Sequence, residues 1–302
     1  MASRLTAEQR RRQRLRERVI VGALFAAAAS SVLITIGIVA TLLYESIGFF
    51  RHVPLGSFLT DTVWTPLFDN PRYGVLPLLC GTMLSTFVAL AVAAPLGLTA
   101  ALYLSEFAAP RTREVIKPVL EMLSGVPTVV YGFFALLFVT PLLQRLMPGL
   151  PGFNILSAGI VIGIMIIPYI ASLSEDAMRA VPQALRDGSL AMGATKFETA
   201  VRVVLPAAIS GIAAAFVLAI SRAVGETMVV AIAAGQQPNL TLDPRDPAAT
   251  ITAFIVQVAL GDLPHDSVGY QSIFAVGLVL FLMTLGFNVF GFWLRRRFRE
   301  AY

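Results

Sequence analysis

An arginine and a glutamate interrupt one of the most apolar stretches of the chain. Residues 220–231 read ISRAVGETMVVA, with Arg222 and Glu226 four positions apart. A charge that faces lipid costs ~2.5–3.5 kcal/mol or more, so such residues usually face a bundle interior or a water-filled path. The pair predicts either an ion pair that holds helices together or a site on a substrate path, with Ser221 and Thr227 as nearby hydroxyl donors.

For the pair as a site on a substrate path, our hypothesis is that Arg222 attracts an oxyanion while Glu226 favours a protonated one. A guanidinium presents a planar fork of donors that suits a tetrahedral oxyanion, and Arg222 stays charged at physiological pH. Phosphate near neutral pH carries an O–H group that can donate to Glu226, whereas sulfate has no such donor and meets only repulsion. The alternative is that Glu226 holds Arg222 in a closed state and releases it when the pathway opens.

The composition indicates that these charges belong to an integral membrane protein. Of 302 residues, 57% are hydrophobic and 14% are charged, whereas about 25% are charged in soluble domains. A single cysteine excludes an internal disulfide, and the two histidines, His52 and His265, are too few for a zinc cluster or a phosphatase site. The formal charge of +5 is therefore read first as a topology signal rather than as a nucleic-acid site.

Six apolar runs are long enough to cross a bilayer, which takes about 20 residues per helix. They are residues 19–44, 76–103, 128–147, 155–173, 206–234 and 273–294. The first run exceeds the ~7–15 residues of a signal-peptide core, so we expect a permanent helix there. The runs predict an all-α membrane domain over residues 19–294.

Basic residues place both chain ends in the cytoplasm by the positive-inside rule. The predicted tails, residues 1–18 and 295–302, hold seven and four arginines. Residues 174–205 then form a cytoplasmic loop and residues 235–272 an external loop. The external loop contains AATITAFIVQVALGD, an apolar run of the length expected for a short re-entrant or interfacial helix.

Two glutamates and two glycines allow further predictions. Glu106 and Glu121 fall near the inner surface, where we expect both side chains to be solvated. Gly159 and Gly163 form a G-x-x-x-G pattern that favours close helix contact. That contact is made either with a second subunit or within this chain.

The cytoplasmic loop has proline and glycine residues at positions that predict two short helices. Pro182 can begin the first helix, and Gly193 interrupts it. A second helix can run from Thr195 until Pro206 begins the next span. This shape suits either an amphipathic connector that folds back on its own bundle or a docking knob for a cytoplasmic partner.

The spacing within this loop resembles the EAA loop of ABC importer permeases. That pattern is E-A-A, three residues, glycine, nine residues and then I-x-L-P, and here Asp-Gly-Ser stands in place of Glu-Ala-Ala. The matching residues are Asp187, Gly188, Ser189, Gly193, Val203, Leu205 and Pro206. The resemblance implies that they form a coupling helix that docks on an ATPase subunit.

Further stretches resemble the PstC-type permease of the high-affinity phosphate ABC importer. They are residues 61–107, residues 120–136 and SRAVGETMVVA, which resembles the fifth span of that subunit. The resemblance implies a type I ABC importer permease fold with six transmembrane helices in the bacterial inner (plasma) membrane, and phosphate as the substrate.

The same resemblance implies the partners. They are a homologous PstA-type permease, two PstB-type ATPases docking at residues 187–206, an external PstS-type phosphate-binding protein and membrane lipid, without nucleic acid. Because the chain has no G-x-x-x-x-G-K-[ST] motif, we expect a transport subunit rather than an enzyme, with no cofactor or metal of its own. ATP and Mg would be bound by the partner ATPases. The alternatives are a permease for sulfate or molybdate, or a proton-coupled secondary transporter in which Arg222 and Glu226 relay protons.

Overall fold

The computed structural model describes residues 7–66, 68 and 70–297, and their regular structure is helical. Residues 1–6 and 298–302 of the two predicted tails lie outside the described residues. The α-helices are α1 (Ala7–Phe50), α2 (Leu55–Thr60), α3 (Leu76–Leu102), α4 (Pro110–Ser124), α5 (Thr128–Phe134), α6 (Thr140–Leu146), α7 (Ile155–Arg179), α8 (Gln183–Ala191), α9 (Lys196–Thr199), α10 (Leu205–Ala207), α11 (Ile209–Val224), α12 (Met228–Ala233), α13 (Ile251–Ala259) and α14 (Val268–Arg297).

Three π-helical segments extend or join these helices. Tyr103–Phe107 continues α3, Ala135–Val139 joins α5 to α6, and Ala200–Val204 joins α9 to α10. A π segment inserts a residue into the helical ladder and often lies at a functional site. One of the three segments, Ala200–Val204, lies within the predicted coupling loop.

The described residues hold five helices long and apolar enough to cross a membrane. These spans are Arg16–Phe50, Leu76–Phe107, Thr128–Leu146, Ile155–Arg179 and Val268–Leu294. Lys196–Ala207 and Ile209–Val224 meet at 71° and make a sixth span when the bent pair is counted as one. The all-helical architecture with several candidate spans is as predicted.

The predicted fifth span, 206–234, is wrong as one continuous helix. The chain bends at Ala208, α11 then runs from Ile209 to Val224, and α12 begins at Met228. Gly225 is the last residue to donate in the α-helical pattern, to Ser221 O at 3.2 Å; the next N–H, that of Glu226, bonds to Ala223 O at 3.2 Å, and the helical ladder stops there. Arg222 and Glu226 therefore lie on either side of a helix break and not on successive turns of one helix.

Spans α3 and α7 form the most closely packed pair in the core. A Cβ atom built at Gly163 would lie 2.8 Å from the carbonyl oxygen of Ala89, and one at Gly159 would lie 2.6 Å from Val88. At Gly97, the same atom would meet Ile170 at 2.8 Å. The G-x-x-x-G pattern thus serves an intrachain contact, where the missing side chains let the helix backbones approach.

Candidate translocation site and coupling region

Arg222 and Glu226 form an ion pair across the break after α11. Arg222 Nη1 donates to Glu226 Oε2 at 3.2 Å. The Glu226 side chain is 1% exposed, whereas that of Arg222 is 35% exposed. Within the described residues, the arginine's other nitrogens have no hydrogen-bond acceptor, so the guanidinium keeps donors for a ligand.

Glu226 has a second role at the start of α12. Its Oε1 atom accepts hydrogen bonds from the backbone N–H groups of Met228 at 3.2 Å and Val229 at 3.4 Å. These N–H groups belong to the first turn of a helix and have no partner within it. One carboxylate therefore caps α12 with one oxygen and orients Arg222 with the other.

The short helix α13 supports this break from the side. Thr252 Oγ1 donates to the backbone carbonyl of Glu226 at 2.7 Å, and both residues are buried. Thr250 Oγ1 lies 3.1 Å from Thr252 Oγ1 and caps α13 by accepting from Ala253 N. Sequence reasoning predicted a short helix in this loop but did not place its threonines against the site.

The two predicted hydroxyl donors are not joined to the ion pair. Thr227 Oγ1 donates to the carbonyl of Gly225 at 3.2 Å. Ser221 Oγ is buried and has no hydrogen-bond partner in the part of the chain that the structure describes. Roles for Ser221 and Thr227 in substrate binding stay predictions.

The predicted coupling loop forms two helices around a glycine turn. Gly193 has φ +89°, a conformation that side chains rarely adopt, and Thr195 begins α9 with a capping box completed by Glu198. Ser189 on α8 lies 2.9 Å from Thr199 on α9 through their buried hydroxyl groups. This bond holds the two helices as one unit.

The outer face of this unit offers an apolar surface. Met192 is 87% exposed and Phe197 is 61% exposed, and both lie beside the turn. Of the residues that match the EAA pattern, Asp187, Gly188, Gly193 and Pro206 are exposed, Val203 and Leu205 are half-buried, and Ser189 is buried. Exposed large apolar side chains on a projecting element are typical of a protein-docking site.

An ion pair that was not predicted ties α8 to the end of span α3. Arg186 donates to Glu106 Oε1 at 3.0 Å from Nη2 and to Glu106 Oε2 at 3.3 Å from Nε. The Glu106 side chain is only 8% exposed, so the expectation that it is solvated is wrong. Glu121 is exposed, as predicted. A cavity of ≈ 390 Å³ borders the Arg186–Glu106 pair.

A second buried carboxylate joins α7 to α4. Glu175 is fully buried and accepts from Arg113 Nε and Lys117 Nζ, each at 2.7 Å. Lys117 also contacts Asp176. Burial opposes the charged ammonium, but the hydrogen bonds to Asp176 and Glu175 outweigh it and raise the pKa of Lys117. Arg113 and Lys117 thus hold α4 against α7.

The chain is similar to membrane components of known transport systems. Residues 93–300 match the family described as binding-protein-dependent transport system inner membrane component. A probable ABC transporter permease protein, YqgH, of Bacillus subtilis is 38% identical over 76% of this chain and 74% of its own length. The phosphate transport system permease protein PstC of Mesorhizobium japonicum is 33% identical over 85% of this chain and 84% of its own length.

Solved structures share the fold at lower identity. A bacterial alginate ABC transporter, in complex with a periplasmic protein that binds an alginate pentasaccharide, matches with a TM-score of 0.65 and 15% identity over 96% of this chain and 98% of that chain. The inward-facing MetNI methionine ABC transporter matches with a TM-score of 0.54 and 19% identity over 75% of this chain and 95% of that chain.

Proposed function

The chain belongs to the family of binding-protein-dependent transport system inner membrane components, and on that premise we propose that it translocates inorganic phosphate as a permease subunit of an ATP-driven importer. The observation that carries the proposal is similarity over most of the chain to relatives named as phosphate transport permeases. Family membership favours this reading over a proton-coupled secondary transporter.

The Arg222 site supports the choice of an anion. Its guanidinium is one-third exposed in a span region and retains unoccupied donors, while its partner Glu226 is buried. A charge in this position is stabilised by one carboxylate and is still accessible to a ligand. Phosphate can accept from the exposed donors of Arg222, and opening of the pathway would uncover the buried Glu226 so that its carboxylate accepts the phosphate O–H group.

We expect partner subunits as well, and the coupling unit formed by α8 and α9 is where the ATPase would bind. We expect an ATPase subunit to bind its exposed face, since Met192 and Phe197 present apolar surface beside exposed Asp187. An external binding protein would deliver phosphate at the opposite side of the membrane, and a homologous permease would complete the pathway. ATP-driven movement of the ATPases would then switch the bundle between outward and inward access.

Phosphate uptake by the complete complex tests the function and the site together. Replacing Arg222 by Met removes the charge and the donor fork, so we expect uptake to fall about 10–150-fold, the equivalent of the ~1.5–3 kcal/mol of one charge-assisted hydrogen bond. The matched control is Arg145→Met, an exposed arginine at the end of α6, which should transport normally.

Two results would contradict these assignments. A wild-type complex that consumes ATP but imports no phosphate rules out phosphate as the substrate. Normal phosphate import by Arg222→Met leaves the phosphate function standing and removes Arg222 from the pathway. Western blotting of membranes ensures that each variant is present in equal amount.

A further inference from the structure

Arg186 connects three elements that meet at one end of the bundle. It lies on α8 and donates to both carboxylate oxygens of Glu106, in the π segment that ends span α3. The same guanidinium donates to the backbone carbonyls of Met178, at 2.8 Å, and Val181, where α7 gives way to α8. One side chain therefore joins α8 to the ends of two spans.

The geometry of this junction is rigid. The side chains of Arg186 and Glu106 are 12% and 8% exposed, so solvent screens the pair weakly. A two-pronged arginine–carboxylate contact fixes orientation as well as distance, which a lysine cannot do. Ser105 donates to Glu106 Oε1 at 2.7 Å and holds the carboxylate in place.

The junction leads directly to the helix that carries Arg222. Spans α3 and α7 pack tightly along their length through Gly97, Gly159 and Gly163. Helix α11 packs on both of them and bears Arg222 in its last turn. The α3–α7 pair therefore provides a continuous packed connection from Glu106 to α11.

The contact is separate from the surface that a partner would touch. Arg186 is largely enclosed, whereas Met192 and Phe197 are exposed on the coupling unit. Loss of the Arg186–Glu106 bond therefore leaves the exposed surface chemically unchanged. It removes a connection between that surface and the spans.

We propose that the Arg186–Glu106 ion pair is a mechanical tether that transmits movement of α8 to spans α3 and α7. The inference rests on the proposed function, in which an ATPase moves α8. Arg186 and Glu106 are positioning residues, since neither touches the substrate. Breaking the tether should let the ATPase hydrolyse ATP without switching the translocation pathway between its outward and inward states.

Charge-reversal variants of the reconstituted complex test the tether. Arg186→Glu and Glu106→Arg each place like charges together, and the double variant restores an opposite pair. The measurements are ATP hydrolysis, its stimulation by the external binding protein, and phosphate taken up per ATP. The control is Arg111→Glu, which reverses an exposed charge on α4, on the predicted cytoplasmic side, that forms no ion pair among the described residues.

We expect each single variant to keep ATP hydrolysis but to lose stimulation by the binding protein, with uptake per ATP reduced about tenfold, as is typical of a coupling between two sites. The double variant should regain most of both. Arg186→Lys should lie between the single variants and wild type, because it keeps the charge without the fork. Co-purification of the ATPase should be equal in all variants.

The tether is overturned if uptake and hydrolysis fall in the same proportion, if stimulation by the binding protein is unchanged in the single variants, or if the double variant fails to recover while the ATPase still co-purifies. A wild-type complex that imports no phosphate contradicts the proposed function instead. In that case stimulation of ATP hydrolysis still reports on the tether, so the two ideas fail separately.

Discussion

Replacing Glu226 by Gln distinguishes two hypotheses for this carboxylate. In the first, Glu226 selects a protonated anion; in the second, it only holds Arg222 in a closed state. Gln keeps a carbonyl oxygen that can accept from the N–H groups of Met228 and Val229, now at 3.2 and 3.4 Å. Since Arg222 is 35% exposed, losing its charged partner should cost no more than about 1 kcal/mol of stability, far below the ~3–5 kcal/mol of a fully buried pair. The variant should therefore fold and assemble.

The expected change is in discrimination between phosphate and sulfate. Under the selection hypothesis, the phosphate O–H group would gain a hydrogen bond to the carboxylate when the site opens, worth ~1.5–3 kcal/mol, which corresponds to a preference of about 10–150-fold. A neutral amide accepts this proton more weakly and no longer repels sulfate. We expect Glu226→Gln to bind sulfate and phosphate with nearly equal affinity.

The assay should measure the permease without an external binding protein, because such a protein would itself choose the anion. Binding of radiolabelled phosphate and sulfate to the purified complex gives the two affinities directly. An unchanged ratio would refute selection by the carboxylate. An equal gain in affinity for both anions would instead support a lock, since Arg222 would be released toward either ligand.

Other predictions concern the supports of the site. Glu175→Gln removes the buried charge that pairs with the partly exposed Arg113 and Lys117, so it should lower the stability of the purified protein by about 1.5–3 kcal/mol. Glu114→Gln, an exposed residue on the facing helix α4, should change it by less than ~0.5 kcal/mol. Equal melting temperatures of the two variants would contradict the role of the buried carboxylate. Gly163→Val places a Cβ atom 2.8 Å from the carbonyl oxygen of Ala89 and should cost about 1–3 kcal/mol by overpacking. Gly22→Ala, with nothing within 4 Å, is its control in the same thermal assay, and matching losses would argue against the tight contact.

The coupling unit was predictable because its signals are local. Pro182, Gly193 and Thr195 each restrict the backbone at their own position, so a helix, a turn and a second helix can be read directly from the chain. Long apolar runs gave the spans in the same way, since bilayer thickness sets their length. The pairing of Arg222 with Glu226 also follows from short spacing.

The helix break was harder to predict because apolar composition continues through it. Residues 206–234 satisfy the length rule for a span, and Gly225 alone is tolerated in membrane helices. What decides the break is Glu226, whose carboxylate satisfies the first N–H groups of α12 and makes a new helix start favourable. The buried Thr252 then fixes the broken backbone from a distant part of the chain.

Buried ion pairs escaped prediction for a different reason. Glu106 and Arg186 are 80 positions apart, and Arg113 and Glu175 are 62 apart. A charge near a membrane surface has the same local sequence whether it faces water or a partner. Only the packing of α3, α4, α7 and α8 decides which of these carboxylates are enclosed.

The glycine contacts between α3 and α7 bear on how motion in this molecule can be observed. The close contacts at Gly97, Gly159 and Gly163 leave no room for α3 to slide past α7. Spin labels or fluorophores attached to the outer faces of these two helices should keep a constant separation throughout a turnover cycle. That constant separation serves as an internal reference distance, against which the movement of every other helix can be measured.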